Sequence, residues 1–175
     1  MKVIILDRDG VINYDSPDYI KSPEEWHPLP GSIEAIALLS KAGYRIYVAT
    51  NQAGLARGLF DQDMLMQIHK KMIALVNQAE GEIAGIFYCP HHPDEHCRCR
   101  KPGIGLLEQI SEHSKHSLKG VPFVGDSLKD MQAAHAMGCK GVLVETGNGQ
   151  STKLKVNEEL EIFPKLLDFA ESYLR

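Results

Sequence analysis

Two aspartates stand one residue apart in Asp7-Arg8-Asp9-Gly10, directly after the apolar run Val3-Ile4-Ile5-Leu6. Two more follow another short apolar stretch, in Gly125-Asp126-Ser127 and at Asp130. A carboxylate can attack phosphorus and form an aspartyl phosphate if a metal and a lysine neutralise the phosphoryl oxygens. Asp7, at a strand end, suits the nucleophile. Asp9 suits its acid/base partner, because the departing loop turns the second carboxylate over the first one's target. Asp7, Asp9 and Asp126 on one sheet edge repel one another unless a cation sits among them, and hard oxygen ligands point to Mg2+. Thr50, the backbone amide of Asn51 and Lys101 are the donors expected to meet phosphoryl oxygens. Singly these motifs are weak, since Asp-x-Asp is most often a solvated turn and Arg-Lys-Pro a surface loop. Their order at successive strand ends carries the reading.

A second constellation lies between them. Cys89, His91, Cys97 and Cys99 form a C-x-H-x5-C-x-C pattern, which offers three thiolates and one imidazole to a closed tetrahedral zinc site. A disulfide is the bland alternative, disfavoured in a reducing compartment and by the closeness of Cys97 to Cys99. His91 is the expected ligand, and His92 and His96 read as solvated loop histidines. Cys139 reads as a small buried hydrophobe.

The elements that must position these groups follow from the patterning. The chain has 175 residues, 43% of them hydrophobic, with 23 acidic against 19 Lys plus Arg and a net charge of −4. That is the profile of a single domain over 1–175, and short β-branched runs alternating with helical periods make it α/β. The expected fold is a Rossmann-like parallel sheet with helices on both faces, a zinc-binding loop and no large cap domain. Strands are expected at 3–6, 45–49, 86–88, 122–124 and 141–144. Helices are expected at 32–42, 61–79, 106–113, 129–137 and 158–174, the last broken near Pro164. Residues 13–30 read as a long ordered loop and 145–157 as a more mobile one. No apolar run approaches the roughly 18–20 residues of a membrane span, and the charged start is unlike a signal peptide. A cytoplasmic monomer is expected, without the basic footprint of a nucleic-acid binder.

Asp7-Arg8-Asp9-Gly10-Val11-Ile12-Asn13, Thr50-Asn51-Gln52, Arg100-Lys101-Pro102 and Gly125-Asp126-Ser127-x-x-Asp130 resemble the four motifs of the haloacid dehalogenase superfamily of phosphatases. With the cysteine loop directly before Arg100, the resemblance narrows to the branch that acts on heptose bisphosphates or on histidinol phosphate. It implies Asp7 as nucleophile and Asp9 as acid/base. It further implies Mg2+ on the Asp7 carboxylate, the Asp9 carbonyl and Asp126, with Thr50 and Lys101 on the phosphate and Asp130 orienting the site. Asn51, Gln52, Ala53 and the following Arg57 resemble the heptose-bisphosphate enzymes. Arg57 and Arg100 would hold the phosphate that stays behind with forked donors, whereas the cationic histidinol phosphate would be repelled. Asp15 and Ser16 are candidate contacts to sugar hydroxyls. Ser127 is a further substrate contact, standing where some of these enzymes have lysine. Val11 replaces the threonine of the common first motif and is expected to pack behind the loop. A receiver domain, a non-catalytic zinc module and a nucleic-acid 3′-phosphatase each explain fewer of these residues.

Overall fold

In the first strand, β1 (Lys2–Leu6), Val3 and Ile5 face one side and Ile4 and Leu6 the other, and all four are buried. A strand apolar on both faces must be covered on both. The computed structural model, which describes residues 2–157 and 159–175, places β1 near the middle of a six-stranded sheet. Its order is β3–β2–β1–β4–β5–β6, with β2 Tyr44–Asn51, β3 Gly85–Cys89, β4 Pro122–Gly125, β5 Lys140–Val144 and β6 Glu161–Phe163. Every pairing is parallel. The chain winds outward from β1 to β3, then returns to place β4 on the other side of β1, where Leu6 pairs with Val124. Reversal of strand order opens a crevice at the carboxyl ends of β1 and β4, where such sheets bind ligands.

Helices α1 (Ser32–Lys41), α2 (Gln62–Gln78) and α6 (Leu166–Tyr173) cover one face, burying Ile36, Leu39, Ile68, Met72 and Phe169 against Ile4, Leu6, Val48 and Val142. Helices α3 (Gly105–Ser114) and α4 (Leu128–Met137) cover the other, with Leu107, Ile110, Ala133 and Ala134 against Val3, Ile5, Tyr47 and Phe123. Asp61 caps α2, its carboxylate accepting from the Met64 amide at 2.8 Å. Val11 is buried in the first of these cores, behind the loop that carries Asp9. Among the described residues no insertion forms a separate cap, and no helix is long and apolar enough to cross a membrane.

Three expectations are corrected. Residues 161–163 are not helical; they form β6, with Ile162 beside Leu143. Pro164 pushes the residue before it toward extended backbone, and pairing with β5 outweighs a run of apolar residues that also fits a helical period. Glu158, the expected start of that helix, lies outside the described residues. Residues 145–157 carry a short helix, α5 (Gly149–Lys153), which the Thr152 hydroxyl ties to the Asp126 carbonyl at 2.7 Å. Cys139 is half-buried at the edge of the second core rather than enclosed. The 13–30 loop is ordered as expected: Asn13 bridges to Pro28, Trp26 is fully buried, and the Lys71 ammonium donates to the carbonyls of Pro23 and Trp26 at 2.7 and 2.6 Å.

Phe169 is fully buried, and its ring meets Phe163 and Tyr173. Phe169→Ala is expected to cost about 3–5 kcal/mol in urea unfolding, through the cavity left between α6 and the sheet.

Candidate active site

Lys101 is the centre of the crevice. Its ammonium has three protons, and all are taken: by Asp7 Oδ1 at 2.9 Å, Asp130 Oδ1 at 2.7 Å and the Ala49 carbonyl at 2.8 Å. Burial alone would lower the lysine's pKa, but Asp130 and Asp7 outweigh it and raise it. Asn51 fixes the lysine's backbone, accepting from its amide at 3.0 Å and donating to its carbonyl at 3.1 Å. Asp130 is saturated, because its other oxygen accepts from the Ser127 hydroxyl at 2.9 Å and the amides of Asp126 and Ser127 at 3.2 Å. These bonds close a capping box at the start of α4. Asp7 Oδ1 also accepts from the Arg8 amide at 2.8 Å, and Oδ2 has no hydrogen-bond partner among the described residues.

Oxygens of Asp7, Asp126 and Asp130 lie within 4.8 Å of one another, all three residues buried. Three carboxylates against one ammonium leave two negative charges uncompensated. The strain shows in the proton affinities. Burial, then repulsion from Asp130, Asp126 and Asp9, holds Asp7 well above the usual carboxylate range despite Lys101. Burial and Asp130 push Asp126 up to about 7, against the Asn148 amide that donates to it at 2.8 Å. Gly10 and Gly147 cradle Asp126: a Cβ on either would fall 2.1 or 2.2 Å from its Oδ2, and both have positive φ. A dense oxygen cluster short of two positive charges fits a hard divalent cation.

Asp9 has the opposite environment. Its Oδ1 accepts from Arg8 Nη2 at 2.8 Å, Arg8 Nε at 3.0 Å and Asn13 Nδ2 at 2.9 Å, and its Oδ2 from Gln52 Nε2 at 3.0 Å. Burial would raise its pKa, but the Arg8 guanidinium and these bonds outweigh it and lower it. Arg8 is itself fully buried, with Nη1 3.1 Å from His69 Nε2.

The cysteine loop leaves β3 beside this centre. Cys89, His91, Cys97 and Cys99 converge, with Cys89 and Cys99 sulfurs 3.0 Å apart and His91 Nδ1 3.1 Å from Cys99 Sγ. Three sulfurs and one ring nitrogen, so closely grouped, fit one tetrahedral soft or borderline metal, as the spacing anticipated. His92 instead caps a 3₁₀ turn, accepting from the Asp94 amide, and His96 is exposed.

A cavity of about 530 Å³ opens over the carboxylates. Asp7, Asp9, Asp15, Ser16, Asn51, Gln52, Lys101, Asp126 and Ser127 line it, as the sequence reading anticipated. Thr50 and Ala53 are buried behind its wall, the Thr50 hydroxyl accepting from Gln52 at 2.9 Å. Arg57 is not itself a lining residue: it is exposed, with its guanidinium 5.9 Å over the ring of Tyr19, which does line the cavity. Arg100 is also off the wall, with Nη1 buried and without a protein partner among the described residues. Besides Lys101, the wall cations are Lys129 and Lys155, which motif reading missed along with Asn148, Arg8 and His69. Burial and the nearby Arg100 lower the Lys129 pKa.

The comparisons with known proteins agree with this geometry. Residues 98–169 match the HAD-hydrolase-like family model. Over 99% of this chain and 100% of the relative, the sequence is 53% identical to D-glycero-beta-D-manno-heptose-1,7-bisphosphate 7-phosphatase of Pseudomonas putida. The chain belongs to the family of these HAD-like phosphatases. A Neisseria meningitidis relative of the same name is 47% identical over 98% of this chain and 94% of its own. The crystal structure of the D,D-heptose 1,7-bisphosphate phosphatase from Bordetella bronchiseptica, complexed with magnesium and phosphate, superposes with a TM-score of 0.97 at 49% identity. It covers 99% of this chain and 98% of that one.

In this HAD-like phosphatase the charge imbalance has a signature in stability. A carboxyl whose pKa is raised on folding keeps its proton in the folded state where the unfolded chain has lost it, so stability falls as pH rises through that window. For Asp126 the window runs from 3.8 to about 7. His69, lowered to about 3 chiefly by burial and then by Arg8, contributes with the opposite sign between 3 and 6.5. Metal-free Asp126→Asn is therefore expected to gain stability relative to the parent as pH rises from 5 to 8. Urea titrations across that range check it, and a constant difference would contradict the assignment.

Proposed function

We propose that this chain removes the 7-phosphate of D-glycero-D-manno-heptose 1,7-bisphosphate through an aspartyl-phosphate intermediate. The observation that carries the reading is the oxygen-lined cavity, with Asp7 Oδ2 free beside a fully bonded Lys101. The full-length likeness to enzymes of that name supports the substrate. Asp7, Asp126 and the Asp9 carbonyl would hold Mg2+, which supplies positive charge for the phosphoryl oxygens when bound. Cys89, His91, Cys97 and Cys99 would hold a structural Zn2+, keeping Arg100 and Lys101 in place. The reading includes a monomer in a reducing cytoplasm, where these cysteines would persist as thiols or zinc-bound thiolates.

In the proposed reaction, which Asp9 enters protonated on Oδ2, Asp7 Oδ2 attacks phosphorus, the P–O bond to the sugar breaks, and the departing oxygen takes that proton from Asp9. Asp9 Oδ2 is the oxygen for this, since Oδ1 is filled by three donors and Oδ2 by Gln52 alone. Asp9 then takes a proton from the water that attacks the aspartyl phosphate, releasing inorganic phosphate and restoring Asp7. Lys101 acts on the phosphoryl group by charge, because its protons are already engaged. Ser127, its hydroxyl held in the capping box, offers the substrate little. Lys129 and Lys155 take the role expected of Arg57, meeting the phosphate that stays behind. Asp15 and Ser16 stand where sugar hydroxyls would lie.

Inorganic phosphate release with Mg2+, comparing both anomers of the heptose bisphosphate with histidinol phosphate, tests the reading. A preference for the heptose of about a hundredfold, ~2.7 kcal/mol, is expected. Asp7→Asn is expected to keep the parent's melting temperature and lose turnover; turnover by that variant, or a preference for histidinol phosphate, would refute the corresponding half of the proposal. Lys129→Ala and Lys155→Ala are expected to raise KM for the bisphosphate about tenfold, with a much smaller change for a sugar monophosphate. Steady-state kinetics on the two substrates checks this, and equal changes would remove the lysines from the second-phosphate site.

A further inference from the structure

Arg8 stands between the two aspartates of the first motif, and the proposed chemistry gives its side chain no part. Its guanidinium is fully buried, yet it faces the acid/base residue and not the phosphate side of the cavity. Two of its nitrogens grip Asp9 Oδ1 at 2.8 and 3.0 Å. The third, Nη1, points to His69 Nε2 at 3.1 Å. Arginine has no acceptor, so Nε2 must present its lone pair and the ring must be neutral with its proton on Nδ1. His69 sits on the buried face of α2 between Ile68 and Met72, and its ring centroid is 6.4 Å from that of Tyr88. Rigid packing of α2 on the sheet therefore fixes the imidazole, the imidazole fixes the guanidinium plane, and the guanidinium fixes one oxygen of Asp9.

We propose that His69 is a positioning residue: by accepting a hydrogen bond from Arg8 it aims the Asp9 carboxylate, leaving Oδ2 to carry the proton. The role rests on the phosphatase reading above. Without an acceptor at this point Nη1 is left unpaired in a buried position, and the guanidinium is free to turn toward the uncompensated carboxylates of Asp7 and Asp126. Asp9 Oδ1 then loses two of its three donors, and proton transfer to the leaving oxygen loses its alignment. Burial and the Arg8 charge both hold the imidazole neutral, which keeps the lone pair available.

The test uses leaving-group chemistry. kcat/KM counts steps only as far as departure of the leaving group, and a sugar alkoxide needs Asp9's proton whereas p-nitrophenolate leaves without one. His69→Leu and His69→Asn, which put no acceptor within reach of Nη1, are expected to lower kcat/KM for the heptose bisphosphate about tenfold or more, and for p-nitrophenyl phosphate far less. His69→Gln, whose longer amide carries an acceptor oxygen, is expected to recover most of the loss. If His69→Leu does not fold, the Asn and Gln variants carry the comparison alone. Parent-like kcat/KM in the Leu or Asn variant, an equal loss on both substrates, or a Gln variant as impaired as Asn would overturn the positioning role while leaving the phosphatase reading intact. A parent enzyme that releases no phosphate from either substrate would overturn that reading, and this role with it.

Discussion

A lone ammonium among three buried carboxylates is the constraint on which this structure turns. Lys101 cannot neutralise Asp7, Asp126 and Asp130 together, and the surroundings are arranged so that one of the three needs nothing more. Asp130 is satisfied by the start of α4, so the deficit falls on Asp7 and Asp126, at the crevice between β1 and β4. Breaking a buried pair costs more than making one gains, which is why the lysine's backbone is held from both sides by Asn51 and its side chain by three acceptors. The remaining electrostatic demand falls at one place and suits a divalent cation there.

Two carboxylates a residue apart are thereby driven in opposite directions. Asp7, surrounded by other acids, is the more easily protonated until positive charge arrives. Asp9, gripped by Arg8, Asn13 and Gln52, is the stronger acid of the two and gives up a proton more readily. Separation of proton affinities between neighbouring groups is the usual way a site divides nucleophile from acid/base. Here it comes from the alternation of β1: Val3 and Ile5 face α3 and α4, the side from which Lys101 and Asp130 approach Asp7. Arg8 instead meets His69 of α2, on the opposite face.

Much of this was legible in the residues themselves. Carboxylates directly after β-branched runs located the strand ends, and the tight C-x-H-x5-C-x-C spacing located four groups that do converge. β6 was not legible, because Ile162, Phe163, Leu166 and Phe169 suit a helical period as well as a strand followed by a helix, and only the neighbouring β5 decides between them. Lys129 and Lys155 carry no motif; Lys129 reaches the cavity because α4 begins at its rim, and Lys155 because the chain leaves α5 along the wall. Arg57 shows the converse: a forked donor in a suggestive segment does not fix which way an exposed loop turns, and this one lies over Tyr19 at the edge of the cavity. His69 did leave a trace, as a polar residue on the apolar face of an amphipathic helix, but its partner is remote in sequence and adjacent only in space.

The order of the strands has a bearing on how the protein is made. Asp7 precedes β4, its strand's second neighbour, by two further strands and three helices, all synthesised before β4 exists. Until then one edge of β1 has unpaired backbone groups and two apolar faces, the kind of edge on which nascent chains associate. The same delay keeps Asp7 apart from Asp126 and Asp130, so an unfinished chain does not assemble the acidic cluster. Chemistry is switched on by the late arrival of a four-residue strand, and a translation product that stops short of it is inert.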